Sequence, residues 1–269
     1  MRHIKFFLWL LPSVLLPGAF DKSLERNNVL FCYGKFNTDI VKNYDYLILE
    51  SLNFTSAEVK KLNKQNKNVL AYISLGEVNS QAKYYKELKN ITLGKNNNWD
   101  SYYLDLKSEK TKEVLLASIK ECLDKGFDGM FLDNIDNFTQ FGPQKEDKKE
   151  LIAFLKTIKE KYPNKIFFQN AGLELLEETN RYIDGVVVES VASSYSFKDK
   201  SYQLRNKKEF ESYITRIKNL EEKYKQRFIL VEYANHKVLY KKIAERLTKY
   251  KLDYFVGKID LQTIPNFKK

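Results

Sequence analysis

Short apolar runs alternate along this chain with longer segments whose apolar positions recur at helical spacing. The runs of strand type are VLFCYG (29–34), YDYLILES (44–51), VLAYISLGE (69–77) and DGMFLDN (128–134). Four more follow: KIFFQNAG (165–172), DGVVVES (184–190), FILVEYA (228–234) and DYFVGKIDL (253–261). Helix-period segments lie between them at 55–66, 109–125, 147–161, 208–224 and 238–250. Thr55 and Glu58 have the spacing of a capping box, and Ser108 or Thr111 is placed to open the next long helix. Strands that read as near-continuous apolar runs are buried on both faces, the habit of parallel sheets covered by helices. Eight such strands alternating with helices predict an α/β fold, a single (β/α)8 TIM barrel over residues 20–269. A doubly wound open sheet is the alternative, but the chain has no G-x-G-x-x-G turn to open one. No linker rich in Gly, Pro or Ser divides it. Residues 78–104 and 190–207 are the longest stretches without periodicity, and each follows a strand.

The polar residues are placed unevenly. The strands finish with Tyr33, Glu50, Ser74/Gly76/Glu77, Asp133/Asn134, Gln169/Asn170, Glu189, Glu232/Tyr233 and Asp260. In a barrel these ends converge on the C-terminal mouth, where such folds build their sites. Alternation fits: if Asp133 points inward so do Phe131 and Gly129, and if Glu189 does so do Val187 and Gly185. One acid at a strand end is ordinarily a turn or cap residue. A ring of them around one rim favours a site.

Composition refines this picture. Among 269 residues, 43% hydrophobic, basic residues exceed acids by 11. The lysines are scattered, which reads as a solvated face and argues against a nucleic-acid partner. The N-terminus joins Arg2, His3 and Lys5 to FFLWLLPSVLLPGAF, broken by Pro12 and Pro17. That is the pattern of a signal peptide over residues 1–19, too short and interrupted for an ordinary membrane span. An uncleaved anchor is the alternative. Cleavage removes two of the 46 basic residues and none of the 35 acids, leaving +9. The expectation is a secreted or periplasmic protein with no stable membrane insertion after cleavage. Cys32 and Cys122 fall on a predicted strand and a predicted helix, so two buried thiols are expected rather than a disulfide.

The chemistry narrows by elimination. His3 leaves with the signal, and His236 alone makes no His-rich zinc or iron site and no Ser-His-Asp relay. It reads as a loop or substrate-contact residue. No Walker loop or phosphate cup is present, so neither metal nor cofactor is expected. Carboxylates, amides and tyrosines remain, and these suit glycoside hydrolysis by a carboxyl pair. Asp133 and Glu189 end the fourth and sixth strands, alternate positions whose inward side chains fit either a retaining or an inverting enzyme. The apolar approach VVVE suits Glu189 to a raised pKa and a general-acid role. Asp133, beside Asn134 and Asp136, has a wetter setting that favours ionisation. Glu232 and Glu77 are rivals for either task, and Asp105 and Asp128 are assigned to turns or strand starts. Glu50, Ser74, Glu77, Asn170 and Glu232 are expected to line the substrate cleft.

AYISLGEVN (71–79), WDSYYLDL (99–106), KGFDGMFLDNIDNF (125–138), DGVVVES (184–190) and LVEYA (230–234) resemble the signatures of glycoside hydrolase family 114. That family comprises endo-α-1,4-polygalactosaminidases and spherulin-4-like barrels. The resemblance spans most of residues 29–262 and implies a secreted (β/α)8 barrel whose acidic pair corresponds to Asp133 and Glu189. It also implies that Tyr33, Tyr72, Asn134, Asp136 and Tyr233 line the subsite holding the cleaved sugar. This chain has F-L-D-N where better-characterised members carry D-P-D-N, and YISLGE where they read YFSAG, placing it nearer a bacterial branch. The expectation is an exported glycosidase acting on an α-linked amino-sugar polysaccharide. A non-catalytic carbohydrate-binding barrel and a metal-dependent deacetylase are the alternatives.

Overall fold

The computed structural model describes residues 28–267. The expected signal peptide lies outside the described residues. In chain order the first elements are β1 (Val29–Cys32), β2 (Tyr46–Leu49), α1 (Ser56–Gln65) and β3 (Val69–Ser74). Next come β4 (Glu77–Asn79), α2 (Tyr85–Leu88), β5 (Thr92–Asn96), β6 (Ser101–Leu104), α3 (Glu109–Lys125) and β7 (Gly129–Asp133). Then follow α4 (Lys148–Lys161), β8 (Ile166–Asn170), α5 (Leu176–Thr179), β9 (Gly185–Glu189), β10 (Ser193–Ser196) and β11 (Ser201–Leu204). The last are α6 (Lys207–Tyr224), β12 (Arg227–Tyr233), α7 (Lys237–Thr248) and β13 (Asp253–Gly257).

Eight parallel strands form one sheet in the order β1-β2-β3-β7-β8-β9-β12-β13. The seam between first and last is drawn together by Tyr33 N donating to Leu261 O at 2.7 Å. The sheet is therefore a nearly closed (β/α)8 barrel, as the apolar runs predict.

Local chemistry sets the entries and exits. The Thr55 hydroxyl accepts from Glu58 N while the Glu58 carboxylate accepts from Thr55 N, a complete capping box at α1. Helix α3 stops at Gly126, whose left-handed backbone (φ 109°) lets its N–H turn back onto the last turn of the helix. Asp128 then binds Val69 N through its side chain at 2.9 Å, fixing the start of β7 against β3. His236 is the N-cap of α7, its Nδ1 accepting from Leu239 N at 3.2 Å. His236, expected to be a loop or substrate-contact residue, thus stands between β12 and α7 as a helix cap.

Side-chain alternation divides the core. Inside the barrel Phe31 meets Phe131 edge-on at 5.5 Å and Phe255 at 5.6 Å, while Tyr46 meets Phe168 at 5.0 Å. Outside it Val186, Val188 and Leu230 pack with Phe210, Ile214 and Ile217 of α6 and with Leu239 and Ile243 of α7. Cys32 and Cys122 are buried free thiols. Among the described residues no helix is long and apolar enough to cross a membrane.

Two departures from the expected pattern matter for the mouth. The run 69–77 does not continue as one strand: it breaks after Ser74 and restarts as β4, antiparallel to β6. The stretches without periodicity are not plain loops. Residues 77–104 carry a small β4-β6-β5 sheet, and residues 193–204 form the β10–β11 hairpin.

Candidate active site

The C-terminal ends of β3, β7, β8, β9 and β12 bring six of the expected residues together. Asp133 ends β7, Glu189 ends β9, and Asn170 ends the strand between them. The Asn170 Nδ2 donates to Asp133 Oδ1 at 2.8 Å and to Glu189 Oε1 at 2.9 Å. One amide thus bridges two acids that sit on alternate strands. Asp133 accepts two further bonds, from Tyr72 OH at 2.8 Å and from Asn134 N at 2.7 Å. Tyr233 on β12 donates its hydroxyl to Glu189 Oε2. The Tyr33 ring lies 4.9 Å from that of Tyr72 and completes the wall.

The electrostatics separate the two acids. Glu189 is open to the mouth above and walled by the barrel on its other sides. Loss of solvent is the main cause of its shift, the neighbouring Asp133 charge adds to it, and the carboxyl is pushed up to about 7 against the bonds from Tyr233 and Asn170. At neutral pH this group is poised between its acid and its base. Asp133 is also raised by loss of solvent, so its setting is drier than its Asn and Asp neighbours in sequence suggest. Its three donors oppose that rise, and they favour its ionised form. Asp136, exposed beside them, is held up by desolvation and then by the Asp133 charge. Burial and the surrounding carboxylates push the phenols of Tyr33, Tyr72 and Tyr233 well above their ordinary range, which keeps them neutral donors.

The remaining expected residues play other parts. Glu232 is wholly buried and faces away from the mouth, because Tyr233 beside it faces inward and strand neighbours alternate. Its carboxylate accepts from Val191 N, Ala192 N, Ser193 N and Ser193 Oγ at 2.6–3.0 Å. It therefore ties down the segment that follows Glu189. Glu77 is 5% exposed and accepts from Asn137 Nδ2 at 3.0 Å, from Asn96 Nδ2 and from Ser101 Oγ. It knits the small sheet to the turn after β7. Both carboxylates, expected at the cleft, are buried and taken up by protein donors. The Ser74 hydroxyl donates to Asn134 Oδ1 at 2.5 Å and accepts from Glu77 N, and so acts as a brace. Asn134 takes a left-handed backbone (φ 61°), a conformation Asn tolerates, at the turn that presents Asp136. Glu50 caps a short turn through Leu52 N at 3.1 Å at the edge of the mouth, and burial raises its carboxyl.

Sequence reading did not single out Ser193, Asn96, Ser101, Asn137 or Gln144. Ser193 holds Glu232, Asn96, Ser101 and Asn137 hold Glu77, and Gln144 braces Asn137 and the Leu104 carbonyl, at chain separations that spacing does not reveal.

The profile of glycoside-hydrolase family GH114 matches residues 24–265. An uncharacterized protein of Methanocaldococcus jannaschii, MJ1477, is 29% identical over 238 residues, covering 78% of this chain and 68% of its own length. The structure of the glycoside hydrolase domain of PelA from Pseudomonas aeruginosa superposes with a TM-score of 0.77 at 22% identity, over 89% of this chain and 98% of that one. Aspergillus fumigatus Ega3, solved in complex with galactosamine, superposes with a TM-score of 0.67 at 13% identity, over 88% and 93%. At these identities the structural likeness is one of fold.

Proposed function

The chain belongs to glycoside-hydrolase family GH114, and from that premise we propose that it is an exported enzyme cleaving α-linked amino-sugar polysaccharide of the galactosaminoglycan type, with Asp133 and Glu189 as its carboxyl pair. The observation that carries this reading is the Asn170 bridge. Two oxygens bonded to one nitrogen lie no further apart than the two bonds laid end to end, roughly 5.7 Å, close to the separation of retaining glycosidases and short of the inverting range.

The chemistry follows from the two environments. Asp133 attacks the anomeric carbon as a carboxylate while Glu189 delivers its proton to the departing glycosidic oxygen, and the sugar is left as an ester on Asp133. Glu189, now ionised, takes a proton from water, whose oxygen attacks the same carbon and frees Asp133. Tyr72 and Asn170 hold the attacking carboxylate, and Tyr233 orients the acid.

The choice of an amino sugar rests on charge at the mouth. Asp133, Asp136 and Glu189 gather there although the whole chain carries a net charge of +11. At the mouth a protonated amine meets carboxylates at short range, where the scattered lysines are screened. Galactosamine in the Ega3 structure supports the same choice. Export rests on Arg2, Lys5 and the apolar run that follows them.

The test is incubation with a panel of bacterial exopolysaccharides, including partly de-N-acetylated galactosaminoglycan, and mass analysis of the released oligosaccharides. Release from the amino-sugar polymer is expected. Binding without release would favour a carbohydrate-binding barrel, and release only from neutral glycans would overturn the substrate.

A further inference from the structure

The two insertions on the mouth meet at their tips. The β4-β6-β5 sheet follows β3 and the β10–β11 hairpin follows β9, strands three places apart in the ring of eight and so on opposing sides of the mouth. Trp99, in the turn between β5 and β6, touches Phe197, in the turn between β10 and β11, edge to face at 5.1 Å. Behind Phe197 the file of rings continues: Tyr195 lies 5.1 Å from it, and Tyr202 lies 4.8 Å from Tyr195. The Tyr202 hydroxyl accepts from Ile259 N at 3.2 Å, which ties the hairpin to the rim just after the last strand. The hairpin therefore leans from β9 past the end of β13, and its tip reaches the insertion on the far side.

A contact made only to brace two loops would bury its rings. Trp99 is instead 51% exposed and Phe197 46% exposed. Flat apolar rings held half-open above a polar cleft are suited to the C–H faces of sugar rings, because they lose little side-chain freedom on binding and need no charge on the ligand. An edge-to-face pair between two turns is also a weak link, able to part and reclose.

We propose that Trp99 and Phe197 form an aromatic clasp across the mouth that holds a long glycan over Asp133 and Glu189, making these two residues determinants of preference for polymer over short oligosaccharide. This rests on the glycosidase reading above for its substrate class. A chain too short to extend past the acids never reaches the clasp, whereas a polymer lies across both tips.

Two measurements test it independently. Trp99 is the only tryptophan apart from Trp9, so the full chain carrying Trp9→Phe and Glu189→Gln reports on this one indole. Titration with a galactosamine oligosaccharide long enough to extend past Asp133 and Glu189 to both tips is expected to change its emission saturably, in step with calorimetric binding. No binding, or binding that leaves the emission unchanged, overturns the clasp. In the second measurement kcat/KM is compared for polymer and for a short oligosaccharide in Trp99→Ala and Phe197→Ala. The loss is expected to be roughly tenfold greater on the polymer, the scale of one lost aromatic contact. Equal losses on both substrates would make the pair a brace, and no loss on either would remove it from binding. If the unaltered protein hydrolyses neither substrate, the glycosidase reading fails while the fluorescence titration still judges the clasp.

Discussion

Tyr233 donates its phenolic hydrogen to Glu189 from the neighbouring strand, and this bond stabilises the ionised form of the acid. Burial and Asp133 push the other way and win, leaving Glu189 at about 7. The proposed reaction needs Glu189 protonated and Asp133 ionised. The pH profile of kcat/KM should therefore be bell-shaped, with its alkaline limb near pH 7. Tyr233→Phe removes a bond that favours the charge, so the alkaline limb should move to higher pH. A limb that stays in place would dissociate Glu189 from the proton that limits the rate.

Glu189→Gln should lower kcat by about 10² to 10⁴-fold, the usual worth of a general acid or base, and Asp133→Asn, which removes the proposed nucleophile, by at least as much, with the far-ultraviolet spectrum of both unchanged. The short separation of the acids predicts retention: proton NMR of fresh product should show the α anomer first, before mutarotation. Initial appearance of the β anomer would assign the water to a direct attack and Asp133 to the role of base.

The barrel was legible because its strands are buried on both faces and its helices on one, so local periodicity carried the architecture. The Asp133–Glu189 pair was legible for the same reason, since both close an alternating inward file of residues. Glu232 shows what adjacency in sequence conceals. Tyr233 and Glu232 cannot both face the mouth, and alternation alone assigns the inward place to only one of them. Glu77 lies beyond a turn, where no period applies, and its position is decided by Asn96, Ser101 and Asn137. The dryness of Asp133 was hidden because Tyr72 and Asn170 reach it from other strands.

Glu189 also links pH to stability. Its folded pKa lies above the ordinary value of 4.5, so between about 4.5 and 7 the folded state holds a proton that the unfolded chain has lost. Its contribution to stability is fully present below about 4.5 and is lost as pH rises through about 7. Glu189→Gln has no such proton to lose. The melting temperature of this variant relative to the parent should therefore be higher at pH 8 than at pH 4.5. An equal difference at both values would mean that burial does not penalise this carboxylate.

Glu232 should matter to folding before it matters to turnover. Glu232→Ala leaves Val191 N, Ala192 N and Ser193 N without their acceptor in a dry site, and each buried donor left unpaired costs about 1–3 kcal/mol. Urea unfolding should register that loss. Glu232→Gln keeps an acceptor oxygen and most of the shape, so it should fall between the two. A variant as stable as the parent would mean that water replaces the carboxylate behind β9.

Gly76 couples the small sheet to the turn after β7. A Cβ placed there would lie 2.9 Å from Asn134 Cβ, Asn134 O and Asn137 Nδ2, closer than such contacts ever come. Two of these groups belong to backbone or near-backbone positions that cannot rotate away. The turn after β7 must move instead, and Asn134 N, which holds Asp133, moves with it. Gly76 also accepts from Leu104 N at 2.9 Å, so its own backbone is not free to yield. Gly76→Ala should cost about 1–3 kcal/mol of stability, as overpacking does in tight sites. It should also lower kcat by more than it changes KM, because the displaced group is Asp133 and not the surface that carries the glycan. A loss confined to KM would place the strain in the cleft wall rather than at the attacking carboxylate.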